Sequence, residues 1–380
     1  MIMNIPYAKH DITDDDITAV VEAMKSGYLT GGQQLSTFEE NFKEYVDADY
    51  ALAVSSGTAA LHLAVAAMEV PSCKTVLVPS LTFAATANSV LYCGAKVEFV
   101  DIDPDTLLID LDIVKEKIEL NPDKYAGVMV VDYAGYPVDT KAIRSICNKY
   151  NLWIIEDAAH APGAILNRSG EVVKVGSSLY ADITVFSFHP AKHLTTGEGG
   201  MLTTRNKELY DKIKLIRSHA MSKENKKSQE EGWYYAIEKL GYNYRMSEIN
   251  AALGVSQLKR AAKNLTRRRE IAATYDSELA QMSIKLPIID PVSTHAYHLY
   301  IIQSDNRHQL YDHLKAKGIY AQVHYIPLHL QDYYKDFDGA ETLLNTEAYY
   351  NSCLSIPMYP SLSSEEQYYV IEIIKQIHPQ

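Results

Sequence analysis

The stretch Asp182-Ile-Thr-Val-Phe-Ser-Phe-His-Pro-Ala-Lys192-His-Leu-Thr-Thr-Gly-Glu-Gly-Gly-Met201 decides how this chain folds. Its residues 183–188 form an apolar run interrupted by Thr184 and Ser187, the pattern of a strand buried in a core. His189-Pro190 then turns the chain, Lys192 follows, and Gly197, Gly199 and Gly200 allow close approach to the backbone. A buried strand therefore delivers a lysine to the edge of a core. Desolvation there disfavours the ammonium and leaves an amine that is nucleophilic toward aldehydes. A lysine on a turn is ordinarily a solvated surface residue, so the rest of the chain has to say what this one meets.

Outward from that stretch, strand and helix patterns alternate. Apolar runs at 51–54, 75–78, 97–100, 127–131 and 152–155 read as strands. Helical spacing covers 82–92, 111–118 and 140–150, and the apolar series 59–68 forms a helix after Ser55-Ser56-Gly57-Thr58. Buried strands separated by helices imply a mainly parallel α/β sheet covered on both faces. Before it, Thr13 and Asp16 resemble a capping box, Ile17, Val20, Val21 and Met24 recur at helical spacing, and Gly27 ends the run. A second helix starts at Ser36, with Phe38, Phe42 and Tyr45 inward. Past Gly200, helical patterns occupy 208–218, 247–262 and 267–281, with a polar, mobile loop expected at 222–231. Strands at 298–302 and 319–325, a helix at 307–317 and a last one after Ser363 and Glu366 describe a smaller α/β domain. The expected division is 1–250 and 251–380.

Composition narrows the function. The 380 residues are 47% hydrophobic and 22% charged, as in a globular protein. A formal charge of -12 argues against nucleic-acid or anionic-membrane partners. Cys73, Cys93, Cys147 and Cys353 are scattered, so neither a disulfide framework nor a metal site is expected. The opening Met-Ile-Met-Asn-Ile-Pro-Tyr has no charged region followed by an apolar segment. No apolar stretch reaches membrane-spanning length, and the expected compartment is the cytoplasm.

Three handles on one ligand emerge. Ser55-Ser56-Gly57-Thr58 lies between a strand and a helix, where backbone N–H groups and hydroxyls suit a phosphate; an ordinary capped helix would look the same. Trp153-Ile-Ile-Glu-Asp157 is an apolar strand ending in a carboxylate, where open α/β sheets bind ligands. Asp157 could pair with a cationic ring nitrogen, bind a metal or cap the following turn, and His160 could reach a phenolic oxygen on that ring or be satisfied in the core. Lys192 supplies the amine. An anion site, a pyridinium partner and an amine for an aldehyde together match pyridoxal phosphate (PLP). Neither the P-loop nor the dinucleotide glycine pattern is present, and an aldolase barrel would need repeated strand–helix units that are absent.

The same residues carry a resemblance. Ser56-Gly-Thr-Ala-Ala-Leu61, Pro79-Ser-Leu-Thr-Phe-Ala-Ala-Thr-Ala-Asn88, Glu156-Asp-Ala-Ala-His160, the stretch 186–200 and Gly241-Tyr-Asn-Tyr-Arg-Met-Ser-Glu248 resemble the DegT-type nucleotide-sugar aminotransferases almost end to end. That resemblance implies PLP-dependent transferase fold type I, a seven-stranded, mainly parallel sheet between helices plus a smaller C-terminal α/β domain. It implies that Lys192 bonds to the cofactor and shuttles the proton, with Asp157 on the ring nitrogen and His160 facing the phenolic oxygen. Phe83 would stack on the ring, and Ser56, Gly57, Thr58 and Ser187 would hold the phosphate. Asn243 would reach that phosphate from a neighbouring subunit, which implies a homodimer with shared active sites. Some relatives dehydrate sugars and carry His in place of the lysine; here Lys192 is present and His193 merely follows it, which implies transamination.

Within the family, Gly232-Trp-Tyr-Tyr235, His160 and Ala321-Gln-Val-His-Tyr-Ile-Pro327 resemble the subgroup that aminates C4 of a UDP-linked 4-keto-6-deoxy-N-acetylhexosamine on the way to pseudaminic acid. The implied substrates are that keto sugar and L-glutamate. Tyr7, Gly27, Tyr28, Leu29, Thr30, Gln322, Val323, His324 and Tyr325 would line the sugar-nucleotide pocket. Gly57 departs from some members, which have Ala. The alternatives are C3 or C4 amination of another UDP- or dTDP-keto sugar, and a PLP-binding regulator without turnover.

Overall fold

Seven strands build the central sheet: β1 (Tyr50–Val54), β2 (Thr75–Pro79), β3 (Lys96–Val100), β4 (Tyr125–Val131), β5 (Trp153–Asp157), β6 (Ile183–Ser187) and β7 (Gly200–Thr204). The computed structural model describes residues 4–168, 170–223, 226–288 and 293–378. The strand order is β1-β7-β6-β5-β4-β2-β3. Six strands run parallel and β7 alone runs antiparallel, between β1 and β6. Six of the seven were legible as apolar runs. β7 was not, because it begins on the glycine that ends the Lys192 turn.

Successive residues of each strand go to opposite cores. Val76 and Val78 pack with Met129, Ile155, Val185 and the helix Gly57–Ala67 on one face. Leu77, Val128, Val130 and Ile154 pack with the helices Leu111–Leu120 and Thr140–Lys149 on the other. Covering both faces removes apolar area from water on each side of a parallel sheet, worth about 25 cal/mol per Å². It also leaves the carboxyl ends of the strands as the open edge.

The C-terminal part is built on the 19-residue helix Ala261–Leu279, the antiparallel pair Tyr300–Gln303 and Cys353–Ile356, and the helices Arg307–Ala316 and Ser364–Ile377. The expected capping box closes the last helix: Glu366 N–H donates to Ser363 Oγ at 3.1 Å and Ser363 N–H to Glu366 Oε2 at 2.8 Å. Ile5–Pro6 pairs in parallel with Ile319–Tyr320, and Ile5 is buried in this core.

Several expectations change in detail. The helix expected over 247–262 ends at Leu258, and the next begins at Ala261. Arg260, at that break, donates to Asp16 Oδ1 at 2.8 Å and to the Asp11 carbonyl at 2.6 Å. Of the strand expected over 319–325, Ile319–Tyr320 alone pairs as a strand; Gln322 bridges Ser355, and the chain then turns toward the open sheet edge. The polar loop expected over 222–231 holds a short helix, Lys226–Glu230, and Met221–Ser222 pairs with Ala236–Ile237; residues 224–225 lie outside the described residues. The first helix, Asp14–Lys25, turns much of its apolar stripe outward, leaving Ile17, Val21 and Met24 exposed.

Candidate active site

A cavity of about 460 Å³ opens where β1, β2, β4, β5 and β6 end, the edge at which α/β sheets bind ligands. Ser56, Gly57, Thr58, Phe83, Asp157, His160, Ser187 and Lys192 all line it, as do Tyr7, His324 and Tyr325. The remaining expected residues do not. Gly27, Tyr28, Leu29, Thr30, Gln322, Val323 and Asn243 lie outside the lining, and Tyr28 and Leu29 are exposed.

The anion end is the start of the helix Gly57–Ala67. Ser56 is its N-cap, its Oγ accepting from Ala59 N–H at 3.0 Å, while its carbonyl accepts from Ala60 N–H at 3.0 Å. The first two N–H groups, of Gly57 and Thr58, have no protein acceptor among the described residues and lie at the positive end of the helix dipole. Ser187, the last residue of β6, faces them across a narrow gap. A Cβ at Gly57 would lie 2.8 Å from Ser187 Cβ and 3.0 Å from its Oγ, so glycine is what lets the two phosphate-type groups converge in this chain. Gly200 acts on the same loop from behind: a Cβ there would meet the Ser56 carbonyl oxygen at 2.5 Å. That close approach is therefore made to the anion loop itself rather than to a ligand.

The acidic wall is Asp157, the buried last residue of β5. Thr86 Oγ1 donates to its Oδ2 at 2.8 Å and Ala159 N–H to its Oδ1 at 3.2 Å, which fixes the carboxylate plane. Thr86 in turn pairs with Thr82 Oγ1 at 2.8 Å. Burial pushes the Asp157 pKa up, while the Thr86 and Ala159 hydrogen bonds and the Lys192 charge pull against it. A ring cation placed against this carboxylate would keep it ionised.

Lys192 sits in a loop closed at its neck, where Phe188 N–H donates to the Gly199 carbonyl at 2.9 Å and Thr196 N–H to the Phe188 carbonyl at 3.0 Å. Lys192 N–H donates to the His189 carbonyl at 2.8 Å, tightening the turn. Desolvation lowers the amine pKa to about 8, with Asp157 opposing the shift. A minority of the amine is thus free as a nucleophile just above neutral pH, far more than for an ordinary lysine, and half of it near pH 8.

His160 is buried, its Nε2 shares a hydrogen bond with Tyr325 OH at 3.1 Å, and its Nδ1 is enclosed without a partner among the described residues. Burial holds its pKa far below the ordinary value, so the ring is neutral. Phe83 is 59% exposed, with its ring 6.0 Å from that of Tyr325. Sequence reasoning missed Thr86, Thr82, Glu198 and His298, the last three of which also line the cavity. The spacing of Thr82 and Thr86, one helical turn apart within a quoted motif, was a usable signal for the first pair. Glu198 lay between the glycines of the stretch 186–200, and His298 gave no signal.

The arrangement fits PLP on this chain's own atoms: free N–H groups and hydroxyls, an oriented buried carboxylate and a desolvated amine line one cavity. Among the described residues, no group of three or more His, Cys, Asp or Glu is placed to hold a metal ion. None of the described helices is long and apolar enough to cross a membrane.

A doubly covered α/β sheet with this site at its carboxyl edge defines a PLP-dependent transferase of fold type I. Residues 10–375 match the DegT/DnrJ/EryC1/StrS aminotransferase family, and the chain belongs to it, a family of PLP-dependent sugar aminotransferases. It is 38% identical over 379 residues to the UDP-4-amino-4,6-dideoxy-N-acetyl-beta-L-altrosamine transaminase of Campylobacter jejuni, covering 98% of this chain and 97% of that one. It is also 38% identical over 385 residues to the spore coat polysaccharide biosynthesis protein SpsC of Bacillus subtilis, with the same coverage of both chains. Among solved structures, Helicobacter pylori PseC, an aminotransferase involved in the biosynthesis of pseudoaminic acid, superposes with a TM-score of 0.89 at 29% identity, covering 98% of this chain and 99% of that one. The PMP form of a putative sugar aminotransferase from Streptococcus pneumoniae gives 0.90 at 29% identity and the same coverage.

Proposed function

We propose that this aminotransferase moves an amino group from L-glutamate to C4 of a UDP-4-keto-6-deoxy-N-acetylhexosamine, giving UDP-4-amino-4,6-dideoxy-N-acetyl-beta-L-altrosamine. The observation that carries the reading is the end-to-end likeness to the Campylobacter jejuni transaminase. Tyr7, His324 and Tyr325, which line the same cavity as Lys192, support it.

When bound, PLP supplies an electron sink and carries the amino group between the two substrates. Lys192 would hold the cofactor until the donor's amine takes its place; freed, it would take the proton from Cα of the donor in the first half-reaction and deliver a proton to the sugar carbon that gains the amine in the second. Asp157, oriented by Thr86 and Ala159 N–H, keeps the ring nitrogen protonated. Ser56, Gly57, Thr58 and Ser187 anchor the phosphate, Phe83 covers the ring, and His160 faces its phenolic oxygen together with Tyr325.

The working unit is a homodimer whose partner brings Asn243 to the phosphate. The outward apolar side chains of Ile17, Val21 and Met24, with exposed Trp233, Tyr235 and Leu240, support burial against a second copy. The loop Gly27–Thr30, with Gln322 and Val323, lies outside the lining of the cavity and extends it, beside His324 and Tyr325, into the sugar-nucleotide pocket.

A panel of UDP- and dTDP-keto sugars, assayed with L-glutamate and with product linkage read by NMR, tests the reading. Amination at C4 of the UDP-linked N-acetyl sugar is the expected result. A preference for another sugar, or a C3 amine, overturns the specificity, and no amination of any sugar overturns the activity.

A further inference from the structure

Glu248 opens the helix Glu248–Leu258 yet caps a different one. Its Oε1 accepts from Gly32 N–H at 2.9 Å and Leu35 N–H at 3.3 Å, and its Oε2 accepts from Gln34 N–H at 2.7 Å. These N–H groups begin the helix Gln33–Val46, whose own N-cap, Gly32, has no side chain to offer. A carboxylate 2% exposed thus sits on a helix's positive end, and the carboxylate has no cationic partner among the described residues. The Glu248 N–H donates in turn to the Leu29 carbonyl at 3.0 Å. Two residues on, Asn250 Nδ2 donates to the Thr196 carbonyl at 2.5 Å and the Glu198 carbonyl at 3.2 Å. Glu198 lines the cavity beside Lys192. One helical turn therefore joins the 27–32 loop to the turn that follows the catalytic lysine.

We propose that Glu248 is a positioning residue for the sugar nucleotide: it holds the Gly27–Thr30 loop in register with the Thr196–Glu198 turn. This rests on the sugar-nucleotide reading given above. The amino donor is far smaller and needs the cofactor wall alone, so the two half-reactions report on different parts of the molecule.

Glu248→Gln keeps the shape but removes the charge and one acceptor. The KM for the UDP-keto sugar and the Kd for UDP, the latter measured by titration calorimetry on holoenzyme, should both rise about tenfold, the usual cost of one charge-assisted hydrogen bond. Conversion of the bound cofactor by L-glutamate alone, followed by absorbance, should stay within about twofold of wild type. Gly32→Ala attacks the same contact from the other side. Its Cβ would lie 2.7 Å from Glu248 Oε2, and the backbone φ of -100° suits alanine. The same split is expected, and the double variant should add little to either single one.

Slowing of both half-reactions by one factor would show a general structural role and overturn the proposal. UDP binding as tight in both variants as in wild type would overturn it too, leaving the sugar-nucleotide reading intact. A wild-type holoenzyme that reacts with L-glutamate but neither binds UDP nor accepts a keto sugar would overturn that reading and this proposal with it.

Discussion

The two sides of the cavity are made differently. The proposed cofactor side is built, Asn243 apart, within one chain: Asp157 and Ser187 end neighbouring strands, Ser56 to Thr58 start a buried helix, and Lys192 sits on a closed loop. The proposed substrate side is spread over the surface. Tyr7, His324 and Tyr325 reach the cavity, whereas Tyr28, Leu29, Gln322 and Asn243 are exposed. Strand ends in a doubly covered sheet cannot shift without disturbing the core, so the chemistry is rigidly placed. Surface arms are free to vary, which is where selection among similar sugars has to be made.

The largest effect should follow a strike at the rigid side. Lys192→Ala removes the sole amine lining the cavity among the described residues. Both half-reactions should fall by about a thousandfold or more, and borohydride should no longer fix the cofactor to the chain. Persisting turnover, or a label found elsewhere by mass spectrometry, would end the contrast between the two sides.

A second experiment asks whether the exposed side is completed by another copy. Lys192→Ala and Asn243→Ala protomers should each be impaired as homodimers. Mixed, they form hybrids in which one site combines Lys192 from one chain with Asn243 from its partner. Random pairing of equal amounts restores about a quarter of wild-type activity. No recovery, with exchange confirmed by native mass spectrometry, would place Asn243 in its own protomer's site or in none.

This division also explains what could be read in advance. Asp157, Lys192 and the Ser56–Thr58 loop were legible because each follows a continuous apolar run, and a buried parallel strand announces its own carboxyl end. Gly57 was legible as a helix start, but its contact with Ser187 was not, since that depends on strands 130 residues apart in sequence being two places apart in the sheet. β7 escaped because an antiparallel insertion leaves no mark on local periodicity. Glu248 escaped for a related reason: at the first turn of its own helix an acidic residue is already explained by the dipole, and its side chain serves another helix more than two hundred residues earlier.

The smallest expected effect tests how the rigid side is tuned. Thr86→Val is nearly isosteric and leaves the fold and both surface arms untouched, yet it removes the hydroxyl that donates to Asp157 Oδ2. That donor holds the Asp157 pKa down against burial, so its loss lets the pKa rise further. A carboxylate with a raised pKa is neutral over a wider acid range and regains its charge as the pH climbs. The variant should therefore lose about tenfold in kcat below neutrality, recover toward wild type at higher pH, and keep its KM for the sugar nucleotide. In the pH profile the acid limb moves upward while the alkaline limb stays in place. A uniform loss at every pH would mean that Thr86 merely packs the helix Ala84–Tyr92. A shift confined to the sugar-nucleotide KM would show that the two sides of the cavity are not separable after all.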